Sequence, residues 1–231
     1  MLEKLLQFER GLFFALNGSE SVLLDHFFWL YSQKWIWLPF YLCLLIVIVY
    51  KKDWKKILLV LGAVTLVVLL CDQITSGLMK PMFERFRPTR HPDFMNDVKL
   101  VFGYRGGGAY GFASSHASNT FGIATFLAYL LKQRFFGITM FMFAAVSAYS
   151  RVYLGVHFIS DIVVGAIIGV LVGIVIYKVY FILKRRIFNL STSEMQKRAY
   201  SKSAAIALGI IYMCFVLCLF LFDNQLVDLL N

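Results

Sequence analysis

An all-α integral membrane fold, a bundle of six transmembrane helices with an amphipathic helix at its N-terminus, is predicted by three features of the sequence. Hydrophobic residues fill 60% of the 231 positions, well above the roughly 45–50% of a soluble domain. The mean hydropathy is +0.72. The apolar residues gather into runs of membrane-crossing length, and short basic clusters follow the first, third and fifth of these runs.

The opening stretch, "MLEKLLQFERGLFFALNGSES", scatters charges among apolar positions and has no long apolar stretch before a small-residue cleavage site. It predicts an interfacial amphipathic helix ending near Asn17 and Gly18 rather than a cleaved signal. Spanning segments are then expected at residues 35–50, 57–79, 114–131, 135–153, 158–183 and 204–222. A span needs about 20 apolar residues, so the first is short unless it starts near Phe28. With no repeat, low-complexity segment or linker, residues 1–231 read as one membrane-embedded domain.

Lys and Arg resist translocation and collect on the cytoplasmic side. "KKDWKK" (51–56), "KQR" (132–134) and "KRRIFNLSTSEMQKRAYSK" (184–202) all fall on one side, which is therefore assigned as cytoplasmic. Both termini, the segment 80–113 and the turn around 154–157 then lie outside. The outer segment nevertheless carries Lys80, Arg85, Arg87, Arg90, Lys99 and Arg105, so a local function must retain them. The net charge of +10 follows largely from topology and anionic headgroups, and no nucleic-acid partner is expected. Cys43, Cys71, Cys214 and Cys218 all lie within expected spans and read as packing residues.

Three polar clusters meet the outer surface: "KPMFERFRP" (80–88), "ASSHAS" (113–118) and "SRVYLGVHFISD" (150–161). His157 and Asp161, four apart, are expected on one helical face. There the carboxylate holds one imidazole nitrogen and leaves the other free as nucleophile or base. Gly165, Gly169 and Gly173 continue the same stripe and allow another helix to approach closely. Ser114, Ser118 and Gly122 repeat at the same spacing in the third span. That span also places His116 in its first turn, where unpaired backbone N–H groups attract anions.

Lys80, Arg87 and Arg151 supply positive charge suited to phosphate oxygens. Taken singly, each residue reads as a headgroup contact or a snorkelling anchor. Together, two histidines, an aspartate and three bases near helix ends on one face indicate phosphoryl chemistry. Asp72, within the second span, is expected to support Lys80 by an ion pair. "YRGGGAYG" (104–111) is expected to form a mobile flap, with Tyr104 and Tyr110 touching headgroups.

These residues resemble the signature of the type 2 phosphatidic acid phosphatase superfamily. Lys80, Arg87 and Pro88 match its first motif in full; Ser150, Arg151, His157 and Asp161 match its third. In the second, Ser114 and His116 match, while Ala113 stands in place of a proline and Ser115 in place of a glycine.

The resemblance implies a metal-independent, cofactor-free phosphatase with an outward-facing active site. It makes His157 the nucleophile that forms a phosphohistidine, Asp161 its orienting partner and His116 the acid for the leaving group. Lys80, Arg87, Arg151 and the Ser114–Ser115 turn would bind the phosphoryl group. The implied substrate is a membrane lipid phosphate: undecaprenyl pyrophosphate, phosphatidylglycerol phosphate, phosphatidic acid or a lipid A phosphate. The compact form resembles bacterial members, implying an inner membrane with the site on its periplasmic face. A phosphotransferase of the same fold is the alternative, and an anion or lipid transporter is the reading from a different class.

Overall fold

The computed structural model describes residues 2–230; Met1, the first residue of the expected amphipathic helix, and Asn231 lie outside the described residues. Helix α1 (Leu2–Leu16) is followed by α2 (Val22–Ser32), a 3-10 turn (Trp35–Trp37) and α3 (Leu38–Val49). Helix α4 (Trp54–Phe83) is next. The chain continues with α5 (Ser115–Leu131), α6 (Arg134–Tyr153) and α7 (Ile159–Ile187), then α8 (Thr192–Gln196), α9 (Lys202–Leu221) and α10 (Asp223–Leu230). Extended pairing is confined, among the described residues, to one antiparallel bridge between Phe86 and Tyr110.

Helices α4, α6, α7 and α9 are long and apolar enough to cross a membrane, and α2 with α3 makes a fifth such unit bent by 73°. The first expected span, 35–50, is therefore the second limb of a bent unit whose first limb starts at Val22. The break is satisfied locally: Trp37 Nε1 donates to the Tyr31 carbonyl at 2.8 Å, so a freed backbone acceptor keeps a partner away from water. The third expected span, α5, has 17 residues, about 25 Å at helical rise against a hydrocarbon thickness of about 30 Å. It is packed between α4, α6 and α7, so longer neighbours shield its polar ends.

The α5–α7 contact carries the centre of the bundle. A Cβ on Gly165, Gly169 or Gly173 would stand 2.5, 2.2 or 2.6 Å from the carbonyl oxygens of Ser114, Ser118 and Gly122. The expected small-residue stripe is thus the surface on which the two backbones meet.

The three basic loops converge on one end, as expected. Lys52 donates to the Ala199 carbonyl at 2.5 Å and Lys132 to that of Met195 at 3.4 Å, while Lys56 lies over the Phe188 ring. The polar clusters gather at the other end, where α1 also docks. Phe13 is fully buried against Phe158. Asn17 ends α1 as expected, its Nδ2 donating to the Tyr153 carbonyl at 2.9 Å and its Oδ1 accepting from the Lys99 N–H at 2.8 Å.

Candidate active site

His157 lies in the short link between α6 and α7, one residue before the helix cap, rather than on the face of α7 as its spacing suggested. It still meets Asp161, because the carboxylate turns back over the helix N-terminus. Asp161 Oδ2 accepts the Phe158 N–H at 3.0 Å and lies 3.2 Å from His157 Nδ1. Asp161 has no exposed surface. Its backbone carbonyl accepts the Ser114 N–H at 3.0 Å, tying the third motif to the second.

The other imidazole nitrogen faces Arg87. Arg87 Nη1 stands 2.9 Å from His157 Nε2 and donates to the Val156 carbonyl at 3.0 Å. A guanidinium only donates, so Nε2 must accept and the ring proton sits on Nδ1, facing Asp161. Burial drives the His157 pKa down from 6.5 to about 4, opposed by Asp161 and reinforced by the nearby Arg87 and Arg151. The imidazole is therefore neutral at pH 7. Arg87 is itself lowered, first by burial and then by Arg151. Its buried Nε has no hydrogen-bond partner among the described residues, which is an arrangement suited to an incoming anion.

Lys80 is held by hydroxyls. The last part of α4 is π-helical from Gln73 to Met79, and the Lys80 N–H reaches the Thr75 carbonyl. This register puts Thr75, Ser76 and Lys80 against Ser115. Lys80 Nζ lies 2.9 Å from both Ser76 Oγ and Ser115 Oγ, and Ser115 Oγ also meets Thr75 Oγ1 at 2.9 Å and Ser76 Oγ at 2.7 Å. The serine that replaces the motif glycine thus adds a contact to the motif lysine. The expected Asp72–Lys80 ion pair does not form. Asp72 accepts from Asn119 Nδ2 at 2.9 Å, because the π-helical turns change the facing of the residues that follow.

His116 sits in the first turn of α5, its Nε2 3.0 Å from Ser147 Oγ on α6. Ser114 caps α5, its Oγ accepting from the Ala117 N–H at 3.4 Å, and Ala113 is fully buried. Arg151 donates to the Tyr104 hydroxyl at 2.6 Å and lies over that ring. The structure therefore brings His157, Asp161 and Arg87 into direct contact, and Lys80 with Ser115. It sets Arg151 and His116 close enough to one another to interact electrostatically.

The stretch 104–111 is pinned rather than a free flap. Arg87 N–H donates to the Ala109 carbonyl at 2.9 Å and Gly111 N–H to that of Arg85 at 2.8 Å. These bonds hold Gly111 against the site, where a Cβ would stand 3.0 Å from Asp161 Oδ2 and 3.5 Å from His157 Nδ1. Tyr104 meets Arg151, and Tyr110 packs on Phe86.

Sequence reasoning missed Arg85 and Glu9 as neighbours of this cluster. Arg85 Nη1 lies 3.1 Å from Asp161 Oδ1, and its Nη2 lies 2.7 Å from Glu9 Oε2. Their signal was weak: an excess outer arginine, and an acid in an amphipathic helix. Ser147 and Thr75 gave none, since hydroxyls within apolar runs are common.

A histidine–aspartate pair with arginine and lysine beside it, at one end of a multi-pass membrane bundle, is the arrangement that this geometry defines. Residues 56–185 match the model of the PAP2 superfamily, and the chain belongs to that superfamily. A lipid A 4′-phosphatase of Porphyromonas gingivalis is 40% identical over 230 residues, covering 100% of this chain and 97% of the relative. A lipid A 4′-phosphatase of Bacteroides thetaiotaomicron is 34% identical over 169 residues, 73% of this chain and 75% of the relative. Among solved structures, Aquifex aeolicus LpxE aligns with a TM-score of 0.56 at 29% identity, over 73% of this chain and 93% of that one. A PAP2-type phosphatidylglycerolphosphate phosphatase from Bacillus subtilis aligns at 0.55 and 22% identity, over 82% of this chain and 89% of that one, a likeness of fold.

Proposed function

We propose that this membrane lipid phosphate phosphatase removes a phosphate from lipid A, at the 4′ position, by two displacements through a phosphohistidine on His157. The observation that carries the mechanism is the placement of His157 between Asp161 on Nδ1 and Arg87 on Nε2. The full-length identity to a lipid A 4′-phosphatase supports the substrate.

In the first displacement Nε2 of His157 attacks phosphorus and the ester P–O bond breaks. Asp161 keeps Nδ1 protonated and stabilises the charge that develops on the ring. Arg87 moves from Nε2 to the phosphoryl oxygens, joined by Arg151 and Lys80 and by the Ser115 N–H opening α5, the Ser114 N–H being taken up by the Asp161 carbonyl. His116, oriented through Nε2 by Ser147 and carrying a second proton in the presence of the bound phosphate anion, gives its Nδ1 proton to the leaving sugar oxygen and becomes neutral. In the second displacement His116 takes a proton from water as the water oxygen bonds to phosphorus, the P–N bond breaks with its electron pair returning to His157 Nε2, and inorganic phosphate leaves. Arginine and lysine neutralise the phosphoryl charge throughout, and no metal ion enters the reaction.

Residues 1–231 act as one domain in this reading. The basic end faces the cytoplasm, which puts the site at the periplasmic face of a bacterial inner membrane.

The test is phosphate release by the purified protein from lipid A, phosphatidylglycerol phosphate, phosphatidic acid and undecaprenyl pyrophosphate, each with and without EDTA. Release from lipid A at the 4′ position, unaffected by chelator, is expected. Release from another lipid alone would overturn the substrate, and loss in EDTA would overturn the metal-free mechanism. Transfer of label to an acceptor lipid without free phosphate would replace the phosphatase by a phosphotransferase.

A further inference from the structure

Asp161 divides its oxygens between two tasks. Oδ2 serves the Phe158 N–H and His157 Nδ1, while Oδ1 meets Arg85 Nη1 at 3.1 Å. Rotation of a carboxylate about its last bond is soft, so without a partner on Oδ1 the Phe158 N–H alone is left to hold Oδ2 under the imidazole. Arg85 is in turn fixed from outside the three motifs. Its Nη2 bonds Glu9 Oε2 at 2.7 Å, its Nη1 bonds Ser160 Oγ at 2.5 Å, and its guanidinium lies 4.3 Å over the Phe158 ring. The second oxygen of Glu9 accepts the Ser160 N–H at 2.8 Å. One carboxylate on α1 therefore clamps both Arg85 and the first turn of α7.

We propose that Glu9 and Arg85 are positioning residues for the reaction: Glu9 fixes Arg85, Arg85 fixes Asp161, and the amphipathic helix α1 is a working part of the active site. This rests on His157 being the nucleophile and Asp161 its orienting partner. The charged and titratable groups around the chain of contacts are Glu9, Arg85, Asp161 and His157, with Arg87, Arg151, Lys80 and His116 facing the last two. Arg10, His91 and Asp93 line the cavity of about 310 Å³ on the outer side of Arg85.

The experiment measures kcat and KM against pH for phosphate release from lipid A and from phosphatidic acid by full-length protein. Arg85→Met, Arg85→Lys, Glu9→Gln, the Glu9→Gln/Arg85→Met double variant and His157→Ala are compared. Arg85→Met should lower kcat roughly tenfold to a hundredfold, the usual cost of losing a group that orients a histidine through its partner, with KM little changed.

Removing that positive charge makes the His157 imidazolium easier to form, so the acid limb of the profile should move to higher pH. Arg85→Lys should return the limb toward its original position. Glu9→Gln should lower kcat alone and add nothing to Arg85→Met, because both act through one chain of contacts.

A wild-type kcat and profile in Arg85→Met, or losses that multiply in the double variant, would overturn the proposal. So would a rate that falls only with the amount of folded protein while the limb stays in place. If Arg85→Met fails to fold, Arg85→Lys and Glu9→Gln carry the test: each should lower kcat, and wild-type rates in both would overturn it. Activity surviving in His157→Ala would instead refute the nucleophile on which the proposal rests.

Discussion

Arg87 Nη1 lies 2.9 Å from His157 Nε2, on the nitrogen opposite the one that faces Asp161. In the proposed mechanism the arginine occupies the place that phosphorus would take when the histidine attacks, so it would move onto the phosphoryl oxygens as substrate binds. Arg87→Ala should lower kcat by about 10²- to 10³-fold, the range for losing a donor aimed at developing charge. Arg87→Lys should recover only part, because the fork is lost. Steady-state phosphate release measures both, and a near-wild-type Arg87→Ala would contradict this role.

The burial of His157 fixes a direction for pH. Its pKa is lowered to about 4 from 6.5, so the acid limb of kcat/KM should lie well below the free-histidine value. The same shift bears on stability: the unfolded chain binds the proton first, so the contribution is present above about pH 6.5 and is lost as pH falls toward about 4. Activity and thermal unfolding of the detergent-solubilised protein between pH 3.5 and 8 check the two together. An acid limb at or above 6.5 would contradict the buried, neutral imidazole.

Ser115 touches Lys80 at 2.9 Å and belongs to a set of hydroxyls that fixes where the ammonium points. Ser115→Gly removes that contact, and KM for the lipid phosphate should rise several-fold with a smaller effect on kcat. The relative rates on lipid A and phosphatidic acid should change as well. Identical kinetic constants for both lipids would show that Ser76 alone suffices to hold Lys80.

Gly169 meets α5 so closely that a Cβ would stand 2.2 Å from the Ser118 carbonyl oxygen. Gly169→Val should destabilise the bundle by more than the usual overpacking cost of about 1–3 kcal/mol and should misplace His116 relative to His157. Thermal unfolding and activity should fall together; an unchanged midpoint would mean that the α5–α7 contact carries little stability.

Much of this arrangement was legible in the sequence, because hydrocarbon leaves little choice of backbone. Long apolar runs had to become helices, and the glycine spacing of 165, 169 and 173 named the face on which two of them meet. The three motifs named His157, Asp161, Arg87 and Lys80, of which the structure brings the first three into contact. What escaped notice depended on contacts distant in sequence or on irregular helix.

The bend before Trp35 lies inside an aromatic-rich stretch with no proline at the break, and the π-helical turns that redirect Lys80 away from Asp72 have no compositional mark. The glycines of 104–111 suggested freedom, yet backbone bonds to Arg85 and Arg87 pin the segment. Glu9 and Arg85 are 76 residues apart, so nothing local linked them.

The most direct measurement is rapid quenching of the reaction into alkali with 4′-[32P]-labelled lipid A, followed by mapping of the labelled peptide. Label on His157 that forms and decays within a turnover, and that is absent from His157→Ala, is the expected result. Steady turnover with no labelled histidine, or with label on another residue, would contradict the double displacement.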